Sequence, residues 1–261
     1  MRFTGERVIP LRYDLKPMYQ EHIIRYEFAA PFLQGKDVID LGCGCGYGTH
    51  LLVEQGAGTA VGVDISVEAI KYSRKHFQNH QTIFRVMDVT RLDYPDNTFG
   101  GIVCLEVFEH VADYRALLSE ALRVLTPGGT IILSTPNKAV WSPNQETPIN
   151  PWHIREFERA EFGSLMEEYF CDVRYWSQTN DSSNIIPFIL FNLKLQRIYA
   201  KNRSIPARLV EFLHNSAIKI AMIPPNIIPG AMAKNPNKIL PEAEVAPEQQ
   251  HYFVAVATKS A

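Results

Sequence analysis

The chain is 261 residues long, and its 26 lysines and arginines against 28 aspartates and glutamates give a net charge of −2, which excludes a basic chain built to hold nucleic acid along its length. With 46% hydrophobic and 21% charged residues it can bury a sizeable core and is not a disordered chain. Its four cysteines (Cys43, Cys45, Cys104, Cys171) are too few for a disulfide framework, so a reducing cytoplasm is the expected setting.

The opening residues, MRFTGERVIPLRYDLKP, scatter charges with no apolar stretch and do not read as an export signal. Pro17–Ala30 reads as a helix with Tyr19, Ile23, Tyr26 and Ala30 on one face, started by Pro17 and stopped by Pro31; residues 1–35 would form an N-terminal cap segment. Strands are expected at Asp37–Leu41, Thr59–Val63, Thr82–Met87, Gly101–Leu105, Thr130–Ser134 and Asp172–Ser177. Helical patterns fall between them at Tyr47–Glu54, Val67–Gln78, Tyr114–Leu125 and Arg159–Tyr169. The strands are short, continuous apolar runs, which suits a sheet covered on both faces. Strand-helix alternation implies an α/β, doubly wound, mostly parallel sheet, seven-stranded once the alternating run His251–Thr258 is added.

Residues 181–247 break this rhythm. Ile185 to Phe191 is apolar but broken by Pro187 and far short of the roughly 18 residues of a membrane span. Phe188–Lys201 and Ala207–Met222 are basic and amphipathic, and six prolines from Pro224 to Pro247 come after them. We read the segment as an α-helical insertion before the last strand of a single domain. An amphipathic helix pair docked on the sheet edge meets this pattern, as do a lid, a homodimer contact, or a surface that meets a lipid-linked substrate.

The densest signal is Asp40-Leu41-Gly42-Cys43-Gly44-Cys45-Gly46-Tyr47-Gly48, where a buried strand runs into alternate glycines and then a helix. Bare backbone there can turn sharply and lie against a ligand at the carboxyl end of a strand. The dinucleotide fingerprint G-x-G-x-x-G fails in both frames, ending on Tyr47 from Gly42 and on Thr49 from Gly44. Asp40 would repel a pyrophosphate but suits a ligand with an ammonium group. Acidic residues also close the next two strands, Asp64 before Ile65 and Asp88 before Val89. Each could be a helix cap or turn residue, but three in register favour ligand contacts.

The D-x-G-x-G-x-G spacing with these partners resembles class I S-adenosylmethionine (SAM) methyltransferases, over about residues 36–178 and the last strand. The resemblance implies SAM contacts from Gly42, Gly44 and Gly46, Asp64 on the ribose, Ile65 and Val89 against adenine, and Asp88 on its amino group. Arg25, in a leader similar to that of bacterial glycan-associated members, would pair with the methionyl carboxylate, with Tyr19 and His22 covering the pocket.

Cys104-Leu105-Glu106-Val107-Phe108-Glu109-His110 closes the fourth strand, and an i, i+3, i+4 spacing gathers Glu106, Glu109 and His110 on one face of a helix. The E-x-x-E-H run resembles metal-dependent small-RNA 2′-O-methyltransferases and ubiquinone-pathway O-methyltransferases, which makes Glu106, Glu109, His110 and a later histidine candidate ligands for Mg2+ or Mn2+. His153 is that histidine, in Asn150-Pro151-Trp152-His153-Ile154-Arg155-Glu156-Phe157, which resembles the N-P-x-H-x-R-E-F stretch of glycan-associated sugar O-methyltransferases. It is equally a candidate general base, with His110 and Glu106 as further catalytic groups. Cys43 and Cys45 read as small fillers of a crowded loop, and Trp141 and Trp152 as sugar-stacking or core residues. The reading is methyl transfer to a hydroxyl of a sugar, glycan-like or other small acceptor. A small-molecule N-methyltransferase, an NAD(P)-dependent oxidoreductase and a non-catalytic SAM-binding protein are the alternatives.

Overall fold

A computed structural model describes residues 16–179 and 238–260 of the chain. Eight strands form one sheet in the order β3-β2-β1-β4-β5-β8-β6-β7. In chain order these are β1 Asp37–Leu41, β2 Thr59–Asp64, β3 Thr82–Val86, β4 Phe99–Leu105, β5 Leu125–Pro136, β6 Cys171–Thr179, β7 Lys238–Pro241 and β8 Tyr252–Thr258. Strands β3, β2, β1, β4 and β5 pair in parallel, and β8 runs antiparallel to both β5 and β6. The reversal at β1, whose neighbours β2 and β4 lead to opposite ends of the sheet, opens a crevice at the carboxyl ends of the strands.

The helices are α1 Lys16–Ala29, α2 Tyr47–Glu54, α3 Val67–Phe77, α4 Tyr114–Val124, the single turn α5 Lys138–Trp141, and α6 Arg159–Tyr169. Strand alternation divides the core. Val38 and Val103 point to one face and pack with Leu33, Leu52 and Tyr26. Ile39 and Ile102 point to the other and pack with Leu117, Ala121, Phe162 and Met166 of α4 and α6. Ser66 caps α3 by accepting from the Ala69 N–H, and Asp113 caps α4 by accepting from the Ala116 N–H at 2.9 Å.

The sheet expected with seven strands has an eighth. Lys238–Pro241 pairs antiparallel with β6 and makes an eighth strand at the edge, inside the segment read as insertion. Its proline obscured it. An edge strand needs backbone donors on one side only, so Pro241 is tolerated there. Residues 181–237 of the expected insertion, with its basic amphipathic patterns, lie outside the described residues. So do residues 1–15 of the expected N-terminal cap segment. Among the described residues no helix is long and apolar enough to cross a membrane.

Candidate functional site

β1 leads into the glycine loop, which is tied to β2 by the Gly42 and Cys43 N–H groups donating to the Val63 carbonyl at 2.8 and 2.9 Å. Gly42 and Gly44 have φ of 73° and 54°, left-handed values that cost other residues about 1–2 kcal/mol. The Val107 side chain occupies the space where a Gly42 Cβ would stand, whereas nothing lies within 4 Å of one at Gly44. Gly44 therefore turns bare backbone toward a cavity of about 590 Å³, the size of small-molecule sites.

The cavity gathers Gly42, Gly44, Asp64, Ile65, Asp88 and Val89, with Glu106 and His110 on the β4 side. At the end of β2 the Asp64 carboxylate accepts from the Gly44 N–H at 3.0 Å and the Ser66 N–H at 2.8 Å. These bonds fix it at the wall, in an orientation from which it can also accept from a vicinal diol. Ile65 beside it is 70% exposed, an apolar side chain that a flat ring would cover. The Asp88 Oδ1 accepts from the Thr90 N–H and hydroxyl at 2.9 and 2.7 Å, which sets the turn beneath it.

Three expected cofactor residues stand elsewhere. Asp40 is fully buried beneath the loop because strand alternation turns it toward α1 and α2. Thr49 Oγ1 donates to its carboxylate at 2.6 Å and the Tyr26 hydroxyl at 3.2 Å, and burial pushes its pKa up to about 7. Gly46 is not on the cavity wall; a Cβ there would meet Phe84 and Ser73. Arg25, expected on a methionyl carboxylate, is 1% exposed. Its guanidinium lies 3.5 Å from the Glu106 carboxylate and 4.2 Å from the centre of the Tyr252 ring. His22 and Tyr26 of α1 do line the cavity, whereas Tyr19 packs edge-on against Tyr47 at 5.0 Å. Burial, and then the charge of Arg25, lower the His22 pKa to about 3.

The single helical face expected for Glu106, Glu109 and His110 does not form. Glu106 has φ of 57° and precedes a short 3-10 turn, Phe108–His110. Its carboxylate accepts from the Ser134 hydroxyl at 2.7 Å and faces Arg25. Glu109 is buried beneath it and accepts from Thr135 Oγ1 at 3.1 Å; burial and then Glu106 push its carboxyl well above the usual range. His110 reaches the cavity, with its Nδ1 bonded to the Trp152 carbonyl at 3.0 Å and its pKa lowered to about 4 by burial and then by His153.

His153 lies 4.9 Å from the His110 ring, behind it and off the cavity wall. Donor atoms of Glu109, His110 and His153 fall within 4.8 Å of one another, so three of the four expected metal ligands converge and Glu106 does not. Both His153 nitrogens are engaged at 2.7 Å, Nδ1 with Glu156 and Nε2 with the Asn150 amide. That leaves two oriented donors, fewer than an all-protein Mg2+ or Mn2+ site uses.

Trp141 is core, donating to the His251 carbonyl at 3.0 Å, whereas Trp152 is 44% exposed. Cys43 and Cys45 are buried thiols in the loop. The sequence reading assigned no role to Thr49, Ser134, Asn150 or Glu156. Asn150 and Glu156 stood inside the Asn150–Phe157 motif, and their polarity beside a histidine was the available signal.

Residues 39–133 match the family described as Methyltransferase domain. A probable S-adenosylmethionine-dependent methyltransferase of Mycolicibacterium smegmatis is 35% identical over 63% of this chain and 63% of its own length. The chain thus spans less than two thirds of this relative. A ubiquinone biosynthesis O-methyltransferase of Idiomarina loihiensis is 33% identical over 49% of this chain and 55% of its own. A phosphoethanolamine N-methyltransferase of Triticum aestivum is 32% identical over 43% of this chain and 23% of its own. The crystal structure of a SAM-dependent methyltransferase from Archaeoglobus fulgidus shares the fold, with a TM-score of 0.59 at 17% identity over 95% of this chain and 98% of that one. The match over residues 39–133 takes in the glycine loop and the carboxyl ends of β1, β2 and β4, and over that stretch the chain is similar to methyltransferase domains.

Proposed function

We propose that the protein transfers the methyl group of SAM to a hydroxyl oxygen of a small, sugar- or glycan-like acceptor. The observation that carries this reading is the imidazole of His110 on the cavity wall beside Glu106. Its Nδ1 faces a carbonyl, which requires a proton on Nδ1 and makes Nε2 the basic nitrogen. With a pKa lowered to about 4 the ring is neutral at neutral pH, so Nε2 is in the unprotonated form a base requires, although a weaker base than an ordinary imidazole.

SAM, when bound, supplies a methyl carbon activated by a sulfonium for in-line displacement. The remaining work belongs to the chain. Gly44 offers backbone at contact distance, Asp64 and Asp88 offer acceptors for ribose and adenine, and Ile65 covers an adenine face. Glu106, held by Arg25 and Ser134, puts negative charge beside the cationic donor. His110 removes the hydroxyl proton as oxygen attacks; Trp152 and Ile154, both exposed, offer the acceptor an apolar flank at the rim.

Transfer to nitrogen is the second reading, favoured by the wheat relative. An amine already deprotonated needs no base. Incubation with SAM and a panel of nucleotide sugars, catechols and amines tests both, read as one added methylene by mass spectrometry. Methylated sugars or phenols that vanish in His110→Ala support the first reading. Methylated amines made at a rate His110→Ala barely alters support the second.

A further inference from the structure

The loop Asn150–Glu156 carries more buried polar structure than a connection needs. Glu156 is 4% exposed, and its Oε1 accepts from His153 Nδ1 at 2.7 Å. Its Oε2 is buried without a hydrogen-bond partner among the described residues, a costly arrangement for a residue that served only to pack. On the other side of the ring, Asn150 Nδ2 donates to His153 Nε2 at 2.7 Å. The Asn150 amide cannot be reversed, because its Oδ1 accepts from the Trp152 N–H at 3.0 Å. His153 therefore carries its proton on Nδ1 and spends its Nε2 lone pair on Asn150.

Both peptide planes flanking Trp152 end up tethered to one residue. The Trp152 N–H goes to the Asn150 side chain, and the His153 N–H goes to the Asn150 carbonyl at 3.2 Å. The carbonyl between them, Trp152 O, receives His110 Nδ1–H at 3.0 Å. The same loop is pinned to the turn that carries His110, since the Ile154 and Arg155 N–H groups both donate to the Glu109 carbonyl, at 2.8 and 3.2 Å.

We infer that Asn150, His153 and Glu156 form a positioning unit: the chain Glu156–His153–Asn150 holds the Trp152 carbonyl in place, and that carbonyl fixes the tautomer and aim of His110. His153 is then neither the base nor a metal ligand. It acts on the reaction through His110, and the Nδ1–H to carbonyl bond strengthens when His110 takes up a proton at Nε2. The purpose assigned to the unit rests on the methyl-transfer reading; the geometry does not.

The test is two-bond ¹H–¹⁵N spectroscopy on the full chain labelled at histidine nitrogens, with His110 and His153 assigned by single substitution. The expected result is one Nδ1–H tautomer for each ring in the parent protein. Asn150→Asp is nearly isosteric but replaces the Nδ2 donor with an acceptor. It should bring His153 to the doubly protonated form and move the His110 shifts. Glu156→Ala should move both rings toward tautomer averaging, and Glu156→Gln, which keeps an acceptor at Oε1, should restore the parental pattern. An Nε2–H tautomer at His110 in the parent protein overturns the inference, as does a His110 spectrum unmoved by Asn150→Asp. Calorimetry with S-adenosylhomocysteine separates the two claims. No binding by the parent protein sinks the methyltransferase reading and leaves the tautomer result standing, while the reverse pattern sinks the positioning unit alone.

Discussion

Gly42 and Gly44 share left-handed backbone but differ in what a methyl group would meet. Gly42→Ala drives a Cβ into the Val107 side chain, so it should lower the melting temperature by several degrees. Gly44→Ala meets open cavity and incurs only the left-handed penalty. Its loss should fall on the ligand, with S-adenosylhomocysteine affinity down at least about tenfold while the melting temperature moves far less. Equal melting losses in both variants, measured by differential scanning calorimetry, would contradict the assignment of Gly44 to the cavity face. On the proposed reading, Asp64→Ala removes two charge-assisted bonds to the ligand diol, each worth roughly 1.5–3 kcal/mol, and should weaken calorimetric affinity by a hundredfold or more. These glycines and aspartates were legible in the sequence because the motif fixes both residue type and place in the chain. Asp40 was legible as a residue but not as a role. Its burial under Tyr26 and Thr49 depends on where α1 docks, some 14 positions away in the chain.

At the scale of elements, that docking makes a pH-sensitive joint. Tyr26 of α1, Asp40 of β1 and Thr49 of α2 meet in one buried network. Burial raises the Asp40 carboxyl from 3.8 to about 7, so the folded chain holds that proton more tightly than the unfolded chain does. Its contribution is fully present below the unfolded value and is lost as pH climbs to about 7, by up to about 4 kcal/mol. Asp40→Asn should therefore gain stability relative to the parent between pH 4 and 7, by urea denaturation. A difference that stays flat across that range would remove the joint. Strands β1, β2 and β4 were readable as continuous apolar runs, β8 as an alternating run, and α3 and α4 as helical patterns between strands. β7 was not, since four residues ending in proline look like loop until an edge position excuses them. The 3-10 turn at Phe108–His110 misled in a similar way. Spacing alone implies one helical face, whereas the left-handed Glu106 separates its side chain from Glu109 and His110.

Across the whole molecule, a sheet that reverses strand order at β1 brings a bare-glycine loop, the carboxylates of Asp64, Asp88 and Glu106, and the imidazole of His110 to one crevice. On the proposed reading His153 is committed to Asn150 and Glu156, and deprotonation by His110 would need no divalent ion. Turnover should survive excess EDTA, and loss of activity restored by Mn2+ would return Glu109, His110 and His153 to the role of ligands. The claim beneath all of this is that the crevice binds an adenosyl ligand on Gly44 and Asp64. Isothermal titration of the chain with S-adenosylhomocysteine measures it directly. The expected result is one site per chain, weakened a hundredfold or more in Asp64→Ala and untouched by NAD; a chain that gives no heat with the homocysteine product or with SAM, or that binds NAD in its place, contradicts it.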